Sequence, residues 1–299
     1  KTIRLFARTT PDQKLTIVKV LKNNGEVVAM MGDGVNDAPA LHTADIGIAV
    51  GEATDVAKES ADLVLLDSNF STIVGAVEEG RGMFENIRKI ALYLMCDAFG
   101  EIVVVLGGMI LGLPLPITAV QILWINLISD GFPSLTLAID PKRIDIMKER
   151  PRPSKEKLVN TWMITLIGIV SLAAGLIALV AYQIVYMLTR DVALARSMVF
   201  LTLGLNSLTY VFSVRTLMTP FWKNNVFENR WLMVAVVIGF GLQTLPFSTN
   251  SLRQFFGLES LDVSYWVIAV GLSISVFLVV ELFKFFYSLR HSNDKNRTS

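Results

Sequence analysis

Two kinds of apolar pattern divide the chain. Up to about residue 70, short apolar runs at 27–31, 46–50 and 63–66 alternate with helical patterns, the first of them over 12–23 behind Pro11. Strands that alternate with helices imply parallel βαβ units and an α/β domain. Ligands of such sheets bind at the carboxyl ends of the strands. From residue 90 the runs become long, at 90–112, 117–138, 162–188, 197–218, 231–247 and 264–287. Each is close to the roughly 20 residues that a spanning helix needs. The expected architecture is therefore a partial α/β domain over 1–71, followed over 72–299 by an all-α bundle of six transmembrane helices. Apart from three glycines, residues 71–89 hold no helix breaker and lead into the first span. A stalk helix over 72–112 would be a rod of about 60 Å. A kink at Gly80 or Gly82 would make it two helices instead.

The charges sort the connections. Lys142, Arg143, Lys148, Arg150, Arg152, Lys155 and Lys157 crowd one, Arg215, Lys223 and Arg230 another, and Arg290, Lys295 and Arg297 the tail. The alternate connections hold no basic residue at 113–116, Arg190 before Arg196 in the next, and Arg253 in the last. By the positive-inside rule head, basic loops and both termini are cytoplasmic; a multi-pass protein of the cell membrane is the expectation. Trp162, Tyr186, Trp231, Tyr265, Trp266 and Tyr287 fall near span ends, as an interfacial belt requires.

Composition agrees. Of the 299 residues 53% are hydrophobic and 18% charged, with a mean hydropathy of +0.53; soluble domains carry about 25% charged residues. A net charge of +1 gives no case for a nucleic-acid partner. The single cysteine, Cys96, lies in an apolar run and reads as a small buried side chain. The opening KTIRLFARTT has neither an initiator Met nor a signal-peptide pattern, so the chain is expected to be a fragment of something longer.

Against this background the stretch AMMGDGVNDAPAL at 29–41 stands out. Gly32 and Gly34 let the backbone turn and approach an oxyanion. Asp33 and Asp37 can face one site, and Mg2+ wants one or two carboxylates, water and phosphate oxygens. Asn36 can donate to a phosphate oxygen, and the helix beginning near Asp37 offers free N–H groups. Lys14, in TTPDQKLTIV, could stabilise a phosphoryl group in transfer.

A second set of acids lies inside the spans. Asp97 and Glu101 share a face of the first, and Asn126, Ser129 and Asp130 share a face of the second. A carboxylate at bilayer depth costs about 2.5–3.5 kcal/mol. Three of them indicate function, and two stripes facing each other would form an oxygen-lined pocket of the kind hard cations require. Gly131-Phe-Pro133 should break the second span, which is tolerated at that depth where carbonyls line a cavity or ion path. Asn206 and Ser207 read as helix-packing contacts, and Glu281, near Lys284, as a snorkelling or paired charge.

MGDGVNDAPAL, FARTTPDQK and DLVLLDSNFSTIVGAVEEGR resemble the P-type cation-transporting ATPases, in their calcium-pump-like branch, over nearly the whole chain. The resemblance implies a haloacid-dehalogenase-like phosphorylation domain. Asp33 would be a Mg2+ ligand with Asp37 beside it, Asn36 a phosphate neighbour and Lys14 the phosphate-contacting lysine. ILWINLISDGFP and YLMCDAFGEIV are similar to the ion-binding helices, which makes Glu101, Asn126, Ser129 and Asp130 the implied ligands of a transported cation. Asp97 stands beside Ala98, where calcium pumps have an asparagine ligand. One residue is about 100° of helix rotation, so Asp97 does not simply inherit that role. Met31 replaces a usual threonine, and Phe200 stands where some calcium pumps have an acid, which favours one ion per cycle. No DKTG nucleophile, TGE loop, nucleotide-binding insert or first four membrane helices occur here. ATP would be bound mainly by the missing N-terminal part of the pump, and the chain alone is expected to be inactive. Two alternatives stand beside this reading: a truncated or standalone non-catalytic membrane module, and a membrane-tethered phosphatase of the same head fold.

Overall fold

The computed structural model describes residues 5–67, 69–153, 156–217, 220–223 and 225–297; Lys155 and Met218 lie outside them. By internal packing the chain divides into Lys1–Arg81 with Arg143–Lys157, and Gly82–Lys142 with Leu158–Ser299.

The first unit opens on helix α1 (Pro11–Asn23). TPDQ fixes its start: the Thr10 hydroxyl accepts from the Gln13 N–H, the Gln13 side chain reaches back to the Thr10 N–H, and Pro11 supplies a ready helical φ. Strands β1 (Ala29–Gly32), β2 (Ile46–Val50) and β3 (Leu63–Leu65) form one parallel sheet in the order β1-β2-β3. Met31 pairs with Ile48, and Ala49 with Val64. Between the strands run α2 (Ala38–Thr43) and α3 (Asp55–Glu59), the latter capped by Thr54. Leu41, Ala49, Ala53 and Ala57 form a small core, the three alanines letting helices lie close on the sheet. Strand connections are tied by carboxylates: Asp45 accepts from the Val28 N–H at 2.9 Å and Asp62 from the Gly47 N–H at 2.8 Å. The basic connection is pinned by Arg81, which donates to the Ile146 and Glu149 carbonyls at 2.9 and 3.0 Å.

Helix α4 (Phe70–Ile110) is one unbroken helix of 41 residues, so neither Gly80 nor Gly82 ends it. At 1.5 Å per residue it is about 60 Å long. The second unit holds α7 (Thr161–Thr189), α8 (Val192–Arg215), α9 (Arg230–Thr244), the short α10 (Asn250–Phe256) and α11 (Val263–Arg297). Among the described residues five helices are long and apolar enough to cross a membrane. The expected second span takes a different form, as three consecutive pieces: α5 (Ala119–Trp124), a π-helical segment Ile125–Asp130, and α6 (Gly131–Ala138). The irregularity thus falls one turn before the expected break at Gly131–Pro133, and the helix resumes with Pro133 in its first turn, where a missing N–H is tolerated.

Helix α8 is the centre of this unit, its most apolar stretch 89% buried, which a membrane helix reaches when other helices surround it. Small residues let α7 and α4 cross closely: a Cβ on Gly175 of α7 would lie 2.6 Å from Val103 Cβ and 2.8 Å from the Gly100 carbonyl of α4. Cys96 is a free, buried thiol, as expected. Trp162 departs from the interfacial expectation: it is buried, stacked on Phe283 and against Tyr287. Glu281 is paired rather than snorkelling, 3.0 Å from Lys284, with both groups buried.

Candidate functional sites

In the head, β1 ends at Gly32 and the chain is held just beyond by the Thr54 N–H, which donates to the Asp33 carbonyl at 2.9 Å. Val35–Asp37 then form a 3-10 turn that leads into α2. The turn needs no left-handed residue, since neither Gly32 nor Gly34 has a positive φ. Gly32 is required for a different reason: a Cβ there would stand 2.6 Å from Asp37 Cβ. Gly34 is under no such pressure, its nearest neighbour to an added Cβ being 4.0 Å away. Asp37 is buried and its Oδ1 is 2.6 Å from Lys14 Nζ, so α1 and the motif meet in an ion pair. Asp33 and Asn36 are exposed. The motif therefore combines one buried, paired carboxylate with one solvent-facing carboxylate and an amide.

The second constellation lies between α4, the π segment, α8 and α9. On α4, Glu101 is buried, and the Asn126 amide donates to both its oxygens at 3.3 and 3.4 Å. Asn126 is itself exposed, so this pair sits at the rim. Deeper in, Asp130 is 1% exposed and Asp97 half-buried. The Ser207 hydroxyl of α8 touches both: it lies 3.2 Å from Asp97 Oδ2 and makes a short hydrogen bond with Asp130 Oδ1. Two carboxylates around one hydroxyl repel unless a proton or a cation is shared between them. Ser129 is fully buried, and its hydroxyl donates to Gln243 Oε1 of α9 at 3.1 Å.

Pro133 explains part of this arrangement. It has no N–H, so the Ser129 carbonyl loses its usual helical partner. The Tyr93 hydroxyl of α4 donates to that carbonyl at 2.9 Å and lies 2.6 Å from Ser207 Oγ. π-Helical turns are frequent at functional sites; here the segment carries Asn126, Ser129 and Asp130 together.

Asn126 joins Glu101, and Asp97 joins Asp130. Ser207, expected to serve helix packing, is instead the hub between the two aspartates; Asn206 is buried and its amide has no hydrogen-bond partner among the described residues. Tyr93 and Gln243 were also missed. Tyr93 had a legible signal, lying one turn before Asp97 on the face that carries Glu101. Gln243 had only its polarity inside an apolar run. Among the described residues no three His, Cys, Asp or Glu side chains form a closed metal-holding group. A cation here would need the neutral oxygens of Asn126, Ser129 or Ser207 as well.

A buried carboxylate cluster in an apolar helical bundle, with a small parallel α/β sheet earlier in the chain, points to a cation pump, and comparison with known proteins agrees. Residues 114–286 match the family model "Cation transporting ATPase, C-terminus", and 14–77 match "haloacid dehalogenase-like hydrolase". The chain belongs to the cation-transporting ATPase family and is a multi-pass membrane protein. It is 41% identical over 276 residues to a calcium-transporting ATPase of Bacillus subtilis, covering 91% of this chain and 31% of that protein. It is 39% identical to calcium-transporting ATPase 1 of Bacillus cereus, covering 94% of this chain and 34% of that protein. Against the endoplasmic reticulum-type calcium-transporting ATPase 4 of Arabidopsis thaliana the identity is 33%, over 94% of this chain and 32% of that protein. The chain thus spans about a third of the length of these relatives.

Proposed function

We propose that this chain forms the C-terminal part of an ATP-driven P-type pump for calcium or another small cation, resident in the cell membrane with both termini cytoplasmic. The boundary between phosphorylation domain and membrane domain falls near residue 71. The observation that carries the reading is the buried cluster: Glu101 bonded by Asn126, and Asp97 and Asp130 joined through Ser207. Glu101, Asn126, Ser129, Asp130 and Asp97 would contact the transported ion, with Ser207 beside them. Calcium accepts six to eight oxygens at about 2.3–2.6 Å, which a mixture of carboxylate, amide and hydroxyl oxygens suits.

The head residues fit Mg2+ and phosphate. Asp33 is exposed, and Asp37 keeps one oxygen after Lys14 takes the other. Mg2+ bound by these two would complete its shell with water and phosphate oxygens and neutralise charge on the phosphoryl group. Lys14 would move from Asp37 to the phosphoryl oxygens, Asn36 would donate to one of them, and Gly32 and Gly34 would keep the backbone within reach of the phosphate. ATP and the phosphorylated aspartate belong to segments outside this chain, which contains no DKTG string. Helix α4 starts shortly after β3 and carries Asp97 and Glu101, so a movement of the head would pass along it to the ion site.

The test uses a complete pump: the native product if the reading frame extends upstream, otherwise a chimera with the N-terminal two thirds of the Bacillus subtilis relative. Asp130→Asn should abolish cation-activated ATP hydrolysis while phosphorylation by inorganic phosphate and Mg2+, a reaction of the head, persists. Unchanged cation transport in that variant would reject the assignment. Activation profiles across calcium, manganese, sodium, potassium and protons identify the ion.

A further inference from the structure

Gln243 is 0% exposed within an otherwise apolar stretch of α9, and its amide joins two other elements. Nε2 donates to the Phe200 carbonyl of α8 at 3.0 Å, and Oε1 accepts from the Ser129 hydroxyl at 3.1 Å. Chemistry fixes this orientation. The Phe200 carbonyl can only accept, so the NH2 group must face it and the amide oxygen must face Ser129. The single hydroxyl proton of Ser129 is therefore committed to Gln243. Gly204 makes the room, since a Cβ there would overlap the Gln243 amide. The Phe200 side chain is occupied elsewhere, packed on the rings of Phe247 and Phe256. At this level α8 offers its backbone, and α9 offers the polar side chain.

We infer that Gln243 is a positioning residue of the cation site: it holds the Ser129 proton, so that the Ser129 oxygen meets the transported cation through its lone pairs. The inference rests on the proposed reading of Ser129 as a ligand. Without Gln243 the hydroxyl would turn to another acceptor, and the buried Oδ2 of Asp130 on the next residue has no hydrogen-bond partner among the described residues. A proton donated there competes directly with the cation. Ser207 already makes such a bond to Oδ1; a second would place a hydroxyl proton on each oxygen of the carboxylate. The α9 helix thereby enters the determination of affinity without touching the ion.

The complete pump tests this through calcium activation of ATP hydrolysis. Gln243→Met keeps the size of the side chain and removes both the amide donor and the amide oxygen. It should raise the half-activating calcium concentration about 3–10-fold, the loss of one oriented hydrogen bond, with a smaller change in maximal rate. Ser129→Ala should raise it too, and the double variant should be no worse than Ser129→Ala alone. Gln243→Glu, neutral when buried, presents one O–H and one carbonyl to the same two partners and should restore affinity. Additive effects of Gln243→Met and Ser129→Ala, or a Gln243→Glu variant as weak as Gln243→Met, would overturn the positioning role while leaving Ser129 a ligand. If Ser129→Ala leaves the half-activating concentration unchanged, Ser129 is not a ligand and the inference falls with that reading.

Discussion

Asp130 and Asp140 flank the same short helix, α6, and are both buried, but they keep different company. Asp140 receives Lys89 Nζ at 2.6 Å, Arg215 Nε at 2.7 Å and the Asn229 amide at 2.9 Å, while Asn86 binds its backbone carbonyl at 2.8 Å. Asp130 has the Ser207 hydroxyl on one oxygen, no partner on the other, and no basic side chain among the described residues. The first is a charge neutralised by charges, which fastens α4, α6, α8 and the start of α9 at one point. The second has no protein cation beside it among the described residues. The transport site proposed at Asp130 needs this second kind, because an ion pair supplied by the protein would compete with the ion.

Breaking the two should therefore have opposite consequences for the fold. Asp140→Ala takes the carboxylate away from buried Lys89 and from Arg215, which keeps Glu228 at 3.3 Å, and should cost about 3–5 kcal/mol, read as a large fall in thermal stability in lipid nanodiscs. Asp130→Asn removes repulsion with Asp97 and should leave that stability unchanged or raise it. Equal destabilisation by both would erase the distinction. Next in size, Gly32→Ala should cost about 1–3 kcal/mol, because its Cβ meets Asp37 at 2.6 Å; magnesium-dependent phosphorylation of the complete pump should fall with it. Gly34→Ala, with open space around the added carbon, should be tolerated in stability. Tyr93→Phe takes the hydroxyl from the carbonyl that Pro133 leaves unpaired and should cost about 1–2 kcal/mol in the same unfolding measurement.

The smallest effect is in the head. The Val28 N–H and Lys22 hold the Asp45 carboxyl below its usual 3.8. A carboxyl depressed in the folded state adds stability above the unfolded value and loses it as pH falls through the folded one. Protection of the β1–β2 amides against hydrogen exchange should thus weaken slightly below about pH 3.8, and Asp45→Asn should remove that dependence. An unchanged pH profile in Asp45→Asn would show that Asp45 has no part in it.

Much of this was legible in the order of residues. The strands expected at 27–31, 46–50 and 63–66 formed at 29–32, 46–50 and 63–65, and the helix behind Pro11 and five of the six long apolar runs also follow local rules of periodicity. The acids of the spans announced themselves by cost. What did not show was anything that depends on which face of one helix meets another. Ser207 reads as packing until α8 is seen to be central, and Gln243 is anonymous until α9 is laid against Ser129. The π segment was also hidden: Pro133 signals a lost N–H, but the hydroxyl that takes up the freed Ser129 carbonyl comes from Tyr93, far off in sequence.

In the proposed site, carboxylates of α4 and of the π segment converge on one cation. Anomalous diffraction from crystals of the complete pump grown in calcium tests it directly. The predicted result is a calcium peak within about 2.3–2.6 Å of oxygens from both Glu101 and Asp130. A peak that contacts neither residue, or an ion held by only one of them with the other turned to lipid, would contradict it.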